Sequence, residues 1–246
     1  MSLTVITAAF YDNRTKIRYL EESCDSNGLD LKVYGLGTEY KGYVDAKITE
    51  LLRALVGVKT EYVMYCDGRD SVVLAEEDEI MQAYESVRDG RDLVFGADEK
   101  CFPYPELAGL FPDNPKALVN KWKRKDRRRI FMNAGVFMGK TSYVKSCLNK
   151  LYRHYQGNRQ CVLHPEDDQG WWCMGLSRGD VDFAIDYEAE LVMMTKYTPD
   201  SWYSLSPDRC RLPNGKIPCV LHFAGVNDTN KRMPDFYRRL FPDGDK

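Results

Sequence analysis

The sequence predicts a single α/β domain over residues 1–246, built on a mixed, mostly parallel sheet with helices on both faces. Two observations predict it: short apolar runs alternate with amphipathic helical segments, and polar or glycine-rich turns separate them. Such alternation is typical of parallel sheets, whose ligands bind at the carboxyl ends of the strands. A chain of 246 residues is long enough to bury one sizeable core.

The first half of the chain alternates regularly. Apolar runs predict strands at residues 3–9, 29–34, 61–65 and 92–96. Asp12 and Asn13 mark the start of a helix that contains Ile17 and Leu20, because Asp and Asn commonly cap helices. The helical spacing of apolar residues predicts two further helices, over residues 45–56 and 76–87.

The second half is less regular. Residues 101–115 are rich in proline and aromatic side chains, which favours an ordered loop over a helix. The elements predicted after it are an apolar run at 130–139, helices at 141–155 and 165–176, short strands at 181–185 and 191–194, a turn-rich region at 199–218, a last strand ending at His222 and a short helix at 235–240. The sequence contains no internal repeat or linker, which agrees with one domain.

The composition is that of an ordinary globular protein, with 43% hydrophobic and 29% charged residues. Its 35 basic and 37 acidic residues nearly cancel, which argues against a protein dedicated to polyanions. Residues 1–10 lack the basic start of a signal peptide, and no run reaches the roughly 18 apolar residues of a membrane helix. A cytoplasmic location without membrane contact is therefore expected, with the eight scattered cysteines as buried thiols.

The most informative segment is residues 63–73, where a strand-like run ends in Asp67-Gly-Arg-Asp70. Two carboxylates three residues apart, at the end of a buried strand, can reach one hard cation such as Mn²⁺ or Mg²⁺. These cations prefer oxygen ligands and keep positions free for substrate phosphates. The segment therefore indicates the metal site of a nucleotide-sugar enzyme, although Asp and Gly are also common in simple turns.

His222 lies at the end of a short apolar run, as Asp67 and Asp70 do. Such positions converge on one edge of a parallel sheet, so the imidazole can complete a three-ligand face with Asp67 and Asp70. A histidine with a purely structural role is the alternative.

Two other polar segments are candidates for substrate contact. Asn133-Ala-Gly135 lies between apolar runs, where an amide and a close backbone approach can serve a ligand or simply form a turn. Residues 166–168 are acidic and, with Gln169, precede Trp171 and Trp172. Acidic residues favour a first helical turn, but carboxylates beside aromatic rings also form surfaces that bind sugars, and we expect the two tryptophans to serve in that way.

The basic segment, residues 121–129, contains seven basic side chains beside Trp122. Clustered cations beside an aromatic ring can neutralise nucleic-acid phosphates and stack on a base. A solvated charged loop is the alternative. The residues that would contact DNA are Lys121, Lys123, Arg124, Lys125, Arg127, Arg128 and Arg129.

Taken in order, these features resemble the glycosyltransferase domain of the procollagen lysyl hydroxylases, a metal-dependent domain of the GT-A type that uses UDP-sugars. The resemblance runs from about Leu3 to Lys231. The motifs that carry it are Val5-Ile-Thr7, Gly35-Leu-Gly37 with Lys41-Gly42, Asp67 with Asp70, Cys101-Phe-Pro103, Asn133-Ala-Gly135, Asp167-Asp168-Gln169, Asp186 and Leu221-His222. Their order and spacing together make the resemblance specific.

The resemblance implies a free-standing, viral or microbial version of that domain, with a GT-A-like fold. The roles it implies are uridine contact by Val5 and Thr7, phosphate contact by Lys47, coordination of Mn²⁺ or Mg²⁺ by Asp67, Asp70 and His222, and contact with the sugar and acceptor by Asn133, Asp167 and Asp168. Three positions depart from the family pattern. Arg69 replaces an aromatic residue, Phe102 replaces a tryptophan, and Phe223-Ala-Gly225 replaces Gly-Asn-Gly.

The sequence thus predicts a hexosyltransferase that moves glucose or galactose from a UDP-sugar to an acceptor hydroxyl. The expected acceptors are a hydroxymethylated DNA base, a hydroxylated side chain or a glycan. Collagen is not expected, because neither a hydroxylase module nor a signal peptide accompanies the domain. The alternative is a non-catalytic polyanion- or nucleic-acid-binding protein on the same fold, which would need the basic segment but not Asp67 and Asp70.

Overall fold

The computed structural model describes residues 2–40, 47–122, 125–157, 168–225 and 228–242. Its strands are, in chain order, β1 (Leu3–Ala8), β2 (Leu31–Tyr34), β3 (Tyr62–Cys66), β4 (Ser71–Val73), β5 (Leu93–Asp98), β6 (Val119–Trp122), β7 (Lys125–Arg128), β8 (Phe131–Lys140), β9 (Ala184–Asp186), β10 (Val192–Met194), β11 (Ser204–Ser206), β12 (Arg209–Arg211) and β13 (Val220–His222). The α-helices are α1 (Arg18–Ser26), α2 (Thr49–Gly57), α3 (Glu77–Val87), α4 (Thr141–Gly157), α5 (Asp168–Arg178) and α6 (Met233–Leu240).

The central sheet has six strands in the order β2-β1-β3-β8-β5-β9. Neighbouring strands are parallel except at β8, which runs antiparallel to both β3 and β5. A second sheet has the order β10-β13-β4, with β10 parallel and β4 antiparallel to β13. The prediction of a mixed, mostly parallel α/β fold is therefore confirmed, and β4 is a strand that the sequence reasoning did not specify.

Side chains of β3 alternate between the two faces of the central sheet, as the pleat requires. Val63 and Tyr65 pack with residues of α2, α4 and α5, whereas Met64 and Cys66 pack with residues of α1 and α3. Strand β3 thus buries both of its faces, which explains why its sequence reads as a continuous apolar run. A third cluster joins α6 to the second sheet through Leu221 and its neighbours.

Several boundaries differ from the predictions. Asn13 caps a short 3₁₀ helix, Arg14–Lys16, that precedes α1. The proline-rich loop contains another 3₁₀ helix, Pro105–Leu110. The helix predicted from residue 45 is described only from 47 onward, and the helix predicted from 165 only from Asp168. The basic segment contains an antiparallel hairpin of β6 and β7, not only a loop.

The seven described cysteines are free, and all of them except Cys101 are buried, as expected; Cys161 lies outside the described residues. None of the helices described here combines the length and the apolar character needed to cross a membrane.

Arg129, at the end of the basic segment, is buried and only 2% exposed. Its guanidinium donates hydrogen bonds to the carbonyls of Met194 (2.7 Å) and Lys196 (3.2 Å) and lies 3.5 Å from the Glu99 carboxylate, which is buried as well. The prediction that Arg129 contacts DNA is therefore wrong, because its charge is already used inside the fold.

We expect Arg129→Met to lower the free energy of unfolding by about 3–5 kcal/mol, because it leaves the Glu99 carboxylate buried without its nearest cation. Arg128→Met is the matched control, since Arg128 is exposed beside Asp113 and its loss should change stability by about 0.5 kcal/mol or less. Urea unfolding of both variants measures the difference. Equal stabilities would show that the buried ion pair contributes nothing.

Candidate active site

Asp67 and Asp70 lie in the turn that joins β3 of the central sheet to β4 of the second sheet. The turn is close-packed at Gly68, where a Cβ atom would lie 2.7 Å from the Thr7 hydroxyl and 2.8 Å from Ile17. The Asp67 amide donates to the carbonyl of Gly135 in β8, with a separation of 2.7 Å. The first carboxylate is therefore held at the carboxyl end of β3, where a parallel sheet presents its ligand-binding groups.

His222 is the last residue of β13 and pairs with Ser71, the residue that follows Asp70. This register brings the imidazole beside the β3–β4 turn, although more than 150 residues separate them in sequence. Nδ1 of His222 lies 2.8 Å from the Met194 sulfur, while Nε2 faces the carboxylates. Nε2 is 3.5 Å from Oδ1 of Asp70 and 3.8 Å from Oδ2 of Asp67.

The acidic cluster formed by Asp67, Asp70 and His222 has the chemistry of a divalent-cation site. One ligand atom from each residue lies within 4.8 Å of the others. Neighbouring ligands of a cation bound at about 2.1 Å lie roughly 3 Å apart, close to the spacings seen here. Oδ1 of Asp70 and Nε2 of His222 are buried and have no hydrogen-bond partner within the described part of the chain. Buried polar atoms without partners are costly, and a shared cation would satisfy both.

Gly135 keeps open the space that the acidic cluster surrounds. A Cβ atom at this position would lie 2.0 Å from Cε1 of His222 and 2.9 Å from Oδ2 of Asp67. The backbone amide of Gly135 donates a hydrogen bond to Oδ1 of the Asn133 side chain, at 3.0 Å. The predicted Asn133-Ala-Gly135 segment is thus part of β8 and not a turn, and its glycine borders the cluster directly.

Lys47 connects the acidic cluster to the start of α5. Its buried ammonium lies 2.9 Å from Oδ1 of Asp67 and 2.7 Å from Oδ2 of Asp168. The Tyr65 hydroxyl donates to the same oxygen of Asp67, at 2.6 Å, and the Tyr65 ring lies under the ammonium. These two donors occupy Oδ1 of Asp67 and leave Oδ2 turned toward His222 and Gly135.

The electrostatics of the acidic cluster follow from burial and from these partners. Burial alone would raise the pKa of Asp67, but Lys47, His222 and the Tyr65 hydroxyl outweigh it and hold that pKa below its usual range. Burial raises the pKa of Asp70, against the opposing effect of His222. Burial opposes a charge on His222 and on Lys47, yet the neighbouring carboxylates raise the pKa of both groups. Asp67 and Lys47 therefore remain charged at neutral pH.

A cavity of about 510 Å³ opens beside the acidic cluster. One wall is aromatic, with Phe10, Tyr11 and Tyr40, and the ring centroids of Phe10 and Tyr40 are 5.5 Å apart. The lining also includes the polar residues Asp67, Asp70 and Lys47. Cavities that bind small molecules combine apolar walls with a few converging polar groups in this way, and this volume is within their usual range.

The structure brings some of the predicted residues to this cavity and not others. Asp67, Asp70 and Lys47 line it. Val5 and Thr7 are fully buried, and the wall is formed further along the chain by Ala8 and Phe10. Side-chain contact of Val5 with a nucleotide is therefore excluded, because Val5 packs in the core between the sheet and α1.

At the other end of the site, Asn133 is nearly buried and its amide donates to Asp98 at 3.3 Å. Asp168 is the first residue of α5 and holds Lys47, while Asp167 lies outside the described residues. The expectation that Trp171 and Trp172 form a sugar-binding surface is wrong. Both are buried in the core, where Trp172 packs against Phe95 and Phe137.

Sequence reasoning missed two contributors to the site, Tyr65 and Asp98, and assigned no role to a third, Gln169. Tyr65 fixes the first carboxylate, and its position two residues before Asp67 could have indicated that contact, because alternate residues of a strand lie on the same face. Asp98 ends β5 and could have been found by the same strand-end rule that identified His222. Gln169 holds β8 by accepting from the Ala134 amide at 3.1 Å, and it donates to the Phe102 carbonyl at 2.6 Å.

The fold is that of GT-A glycosyltransferases. A glycosyltransferase involved in the glycosylation of the major capsid of PBCV-1 has a similar structure, with a TM-score of 0.57, 12% identity and coverage of 95% of this chain and 98% of that chain. An active-site mutant of bacterial LgtC is also similar, with a TM-score of 0.51, 12% identity and coverage of 91% of this chain and 88% of that chain. No curated protein sequence matches the chain.

The chain belongs to the family described as the PLOD GT domain, which matches residues 1–164. It is therefore a glycosyltransferase, and the resemblance inferred from its motifs is confirmed. Asp67, Asp70 and Asn133 lie inside the matched range, whereas Asp168 and His222 lie beyond it.

Proposed function

We propose that this protein transfers a hexose, glucose or galactose, from a UDP-sugar to an acceptor hydroxyl. A divalent cation, Mn²⁺ or Mg²⁺, would be held by Asp67, Asp70 and His222. The observation that carries the proposal is the acidic cluster, with its unpartnered buried atoms, beside a cavity that aromatic side chains also line. Membership of a glycosyltransferase family supports the same reaction class.

The lining of the cavity suits both parts of a nucleotide. The uracil and ribose would lie against Phe10, Tyr11 and Tyr40, since aromatic rings stack on any base. The diphosphate would then lie beside the acidic cluster. Lys47 is engaged by two carboxylates, so its main effect is to orient Asp67 and not to contact a phosphate.

In the reaction, the acceptor oxygen forms a bond to the anomeric carbon of the sugar while the bond from that carbon to the diphosphate breaks. The bond electrons leave with UDP, and the proton of the acceptor hydroxyl passes to a phosphate oxygen of the departing UDP or to water. A cation held by Asp67, Asp70 and His222 would neutralise part of the charge on the departing diphosphate. Asn133 and Asp168, with Asp167, are proposed to orient the sugar and the acceptor, and Asp98 joins them through its hydrogen bond with Asn133.

A hydroxylated protein side chain, a glycan or a hydroxymethylated DNA base is the proposed acceptor. The basic segment supports DNA less strongly than its composition suggests. Arg129 is buried, Arg128 lies 3.4 Å from Asp113, and Arg127 lies 4.0 Å from Glu99. Lys123 and Arg124 lie outside the described residues. A binding protein without activity is disfavoured, since it has no need of the acidic cluster.

Release of UDP from a panel of UDP-sugars tests the proposal. With Mn²⁺, we expect UDP-glucose or UDP-galactose to give slow hydrolysis without an acceptor and faster release with the correct one, and EDTA should abolish both. Hydroxylated peptides, glycans and hydroxymethylated DNA form three separate acceptor arms. Absence of metal-dependent UDP release from every donor would overturn the proposal and favour a non-catalytic protein.

A further inference from the structure

The acidic cluster and its neighbours carry too little positive charge to neutralise an anionic donor as well as their own carboxylates. The site contains three carboxylates, those of Asp67, Asp70 and Asp168, and the single ammonium of Lys47. One divalent cation balances the remaining negative charge. A nucleoside diphosphate sugar brings two further ionised phosphates, and its departure as a nucleoside diphosphate adds more negative charge. Charges in a partly buried site need partners. Additional cations must therefore reach the cavity.

Arg69 is the first such cation. It lies between the two carboxylates of the β3–β4 turn and lines the cavity. One of its nitrogens, Nη2, donates to the Asn230 side chain at 3.0 Å, which tethers the guanidinium to the short π-helix Asp228–Arg232, whose Thr229 also lines the cavity. A guanidinium has five N–H donors in a planar fork that suits phosphate oxygens, so the tether leaves donors free for a ligand.

Lys196 is the second. It follows β10, the strand that pairs with β13 and brings Met194 opposite His222. Its ammonium lies 3.6 Å from the point that a Cβ atom of Gly225 would occupy, and Gly225 lines the cavity. The backbone here is fixed, because the Lys196 carbonyl accepts from the buried Arg129.

Neither cation forms an ion pair within the part of the chain that the structure describes, although the Lys196 ammonium lies 5.3 Å from the centroid of the Tyr197 ring. Within the described residues, no carboxylate oxygen lies within 4.0 Å of Arg69 or Lys196. Other cations of this region are already engaged. Arg232 pairs with Asp200 at 2.7 Å, and Lys100 donates to the Tyr197 hydroxyl at 3.1 Å.

We propose that Arg69 and Lys196, the cation pair, bind the diphosphate of the donor, and that the protein thereby selects nucleoside diphosphates over nucleoside monophosphates. This inference rests on the proposed function, because it places the donor in the cavity beside the acidic cluster. Each member of the cation pair supplies charge-assisted hydrogen bonds to phosphate oxygens.

Calorimetric titration with uridine, UMP and UDP, each in the presence of Mn²⁺, tests the cation pair. Arg69→Gln and Lys196→Met should each weaken UDP binding on the order of tenfold or more, because a hydrogen bond to a charged group is lost. UMP binding should weaken less and uridine binding should not change. Arg69→Lys should recover part of the loss, since the charge is kept and the fork is not.

Matched controls are Arg53→Gln and Lys145→Met, exposed cations on α2 and α4, which should bind all three ligands like the parent. Mn²⁺ binding without nucleotide, followed by electron paramagnetic resonance, should be unchanged in every variant. Folded Arg69 and Lys196 variants that bind UDP like the parent overturn the cation pair alone. So does an equal loss of uridine and UDP binding. A parent that binds neither Mn²⁺ nor UDP overturns the proposed function as well.

Discussion

Asp67→Asn and Asp70→Asn are each expected to weaken Mn²⁺ binding by about 100-fold or more and to abolish UDP release. Loss of an outer partner of a metal ligand already costs about 10- to 100-fold, and these substitutions neutralise a ligand itself. Asparagine keeps the shape of the side chain, so Lys47 and Tyr65 retain an oxygen acceptor at position 67. Titration of Mn²⁺ followed by electron paramagnetic resonance measures the loss.

The metal-free Asp70→Asn variant should equal or exceed the parent in thermal stability, because burial raises the pKa of Asp70 and neutralising it removes a cost of folding. Metal-free Asp67→Asn should be less stable than the parent, because it leaves the buried Lys47 ammonium without one of its two carboxylate partners. Asp25→Asn, on the exposed side of α1, is the matched control and should leave Mn²⁺ binding unchanged. Retention of Mn²⁺ affinity by both cluster variants would remove the basis for a metal site here.

Gly135→Ala is expected to have a comparable effect on Mn²⁺ binding without removing any ligand. The added methyl group would lie 2.0 Å from the His222 ring, so the ring must move out of the space that the acidic cluster surrounds. Overpacking of this kind commonly lowers the free energy of unfolding by about 1–3 kcal/mol. Mn²⁺ titration and urea unfolding of the same preparation separate the two effects.

Gly109→Ala is the control for Gly135→Ala, because nothing lies within 4 Å of its added methyl group. It should match the parent in Mn²⁺ affinity and nearly so in stability. If Gly135→Ala loses stability but binds Mn²⁺ and UDP like the parent, the space beside His222 is not where the cation lies.

The order of the helices and of most strands of the central sheet could be predicted, because each of these elements carries its own local signal. The short strands β4, β6, β7, β11 and β12 were not predicted. The pair Asp67 and Asp70 could also be predicted, since one turn contains both carboxylates. His222 required only one additional rule, that parallel strands present their carboxyl ends at one edge. The antiparallel direction of β8 was not predictable, because an apolar run has no direction before its partners are known.

The errors came from side chains whose environment depends on distant residues. Trp171 and Trp172 follow a carboxylate in the sequence, but α5 packs on the central sheet and turns both rings into the core. Arg129 ends a basic run, yet it enters the fold because Glu99 and two carbonyls from the β10 region surround it. The composition of a segment indicates its charge and its aromatic content. It does not indicate which face of a helix or strand packs against the core.

The acidic cluster draws its members from two sheets, since Asp67 follows β3 of the central sheet and His222 ends β13 of the second. A bound cation would therefore act as a cross-link between the sheets. The sheets touch closely at Gly96, where a Cβ atom would lie 3.0 Å from Val192. Substitutions that shift this contact would move His222 relative to Asp67 and change metal affinity without altering any ligand. The affinity for the cation thus becomes a sensitive measure of how the two sheets are seated against each other.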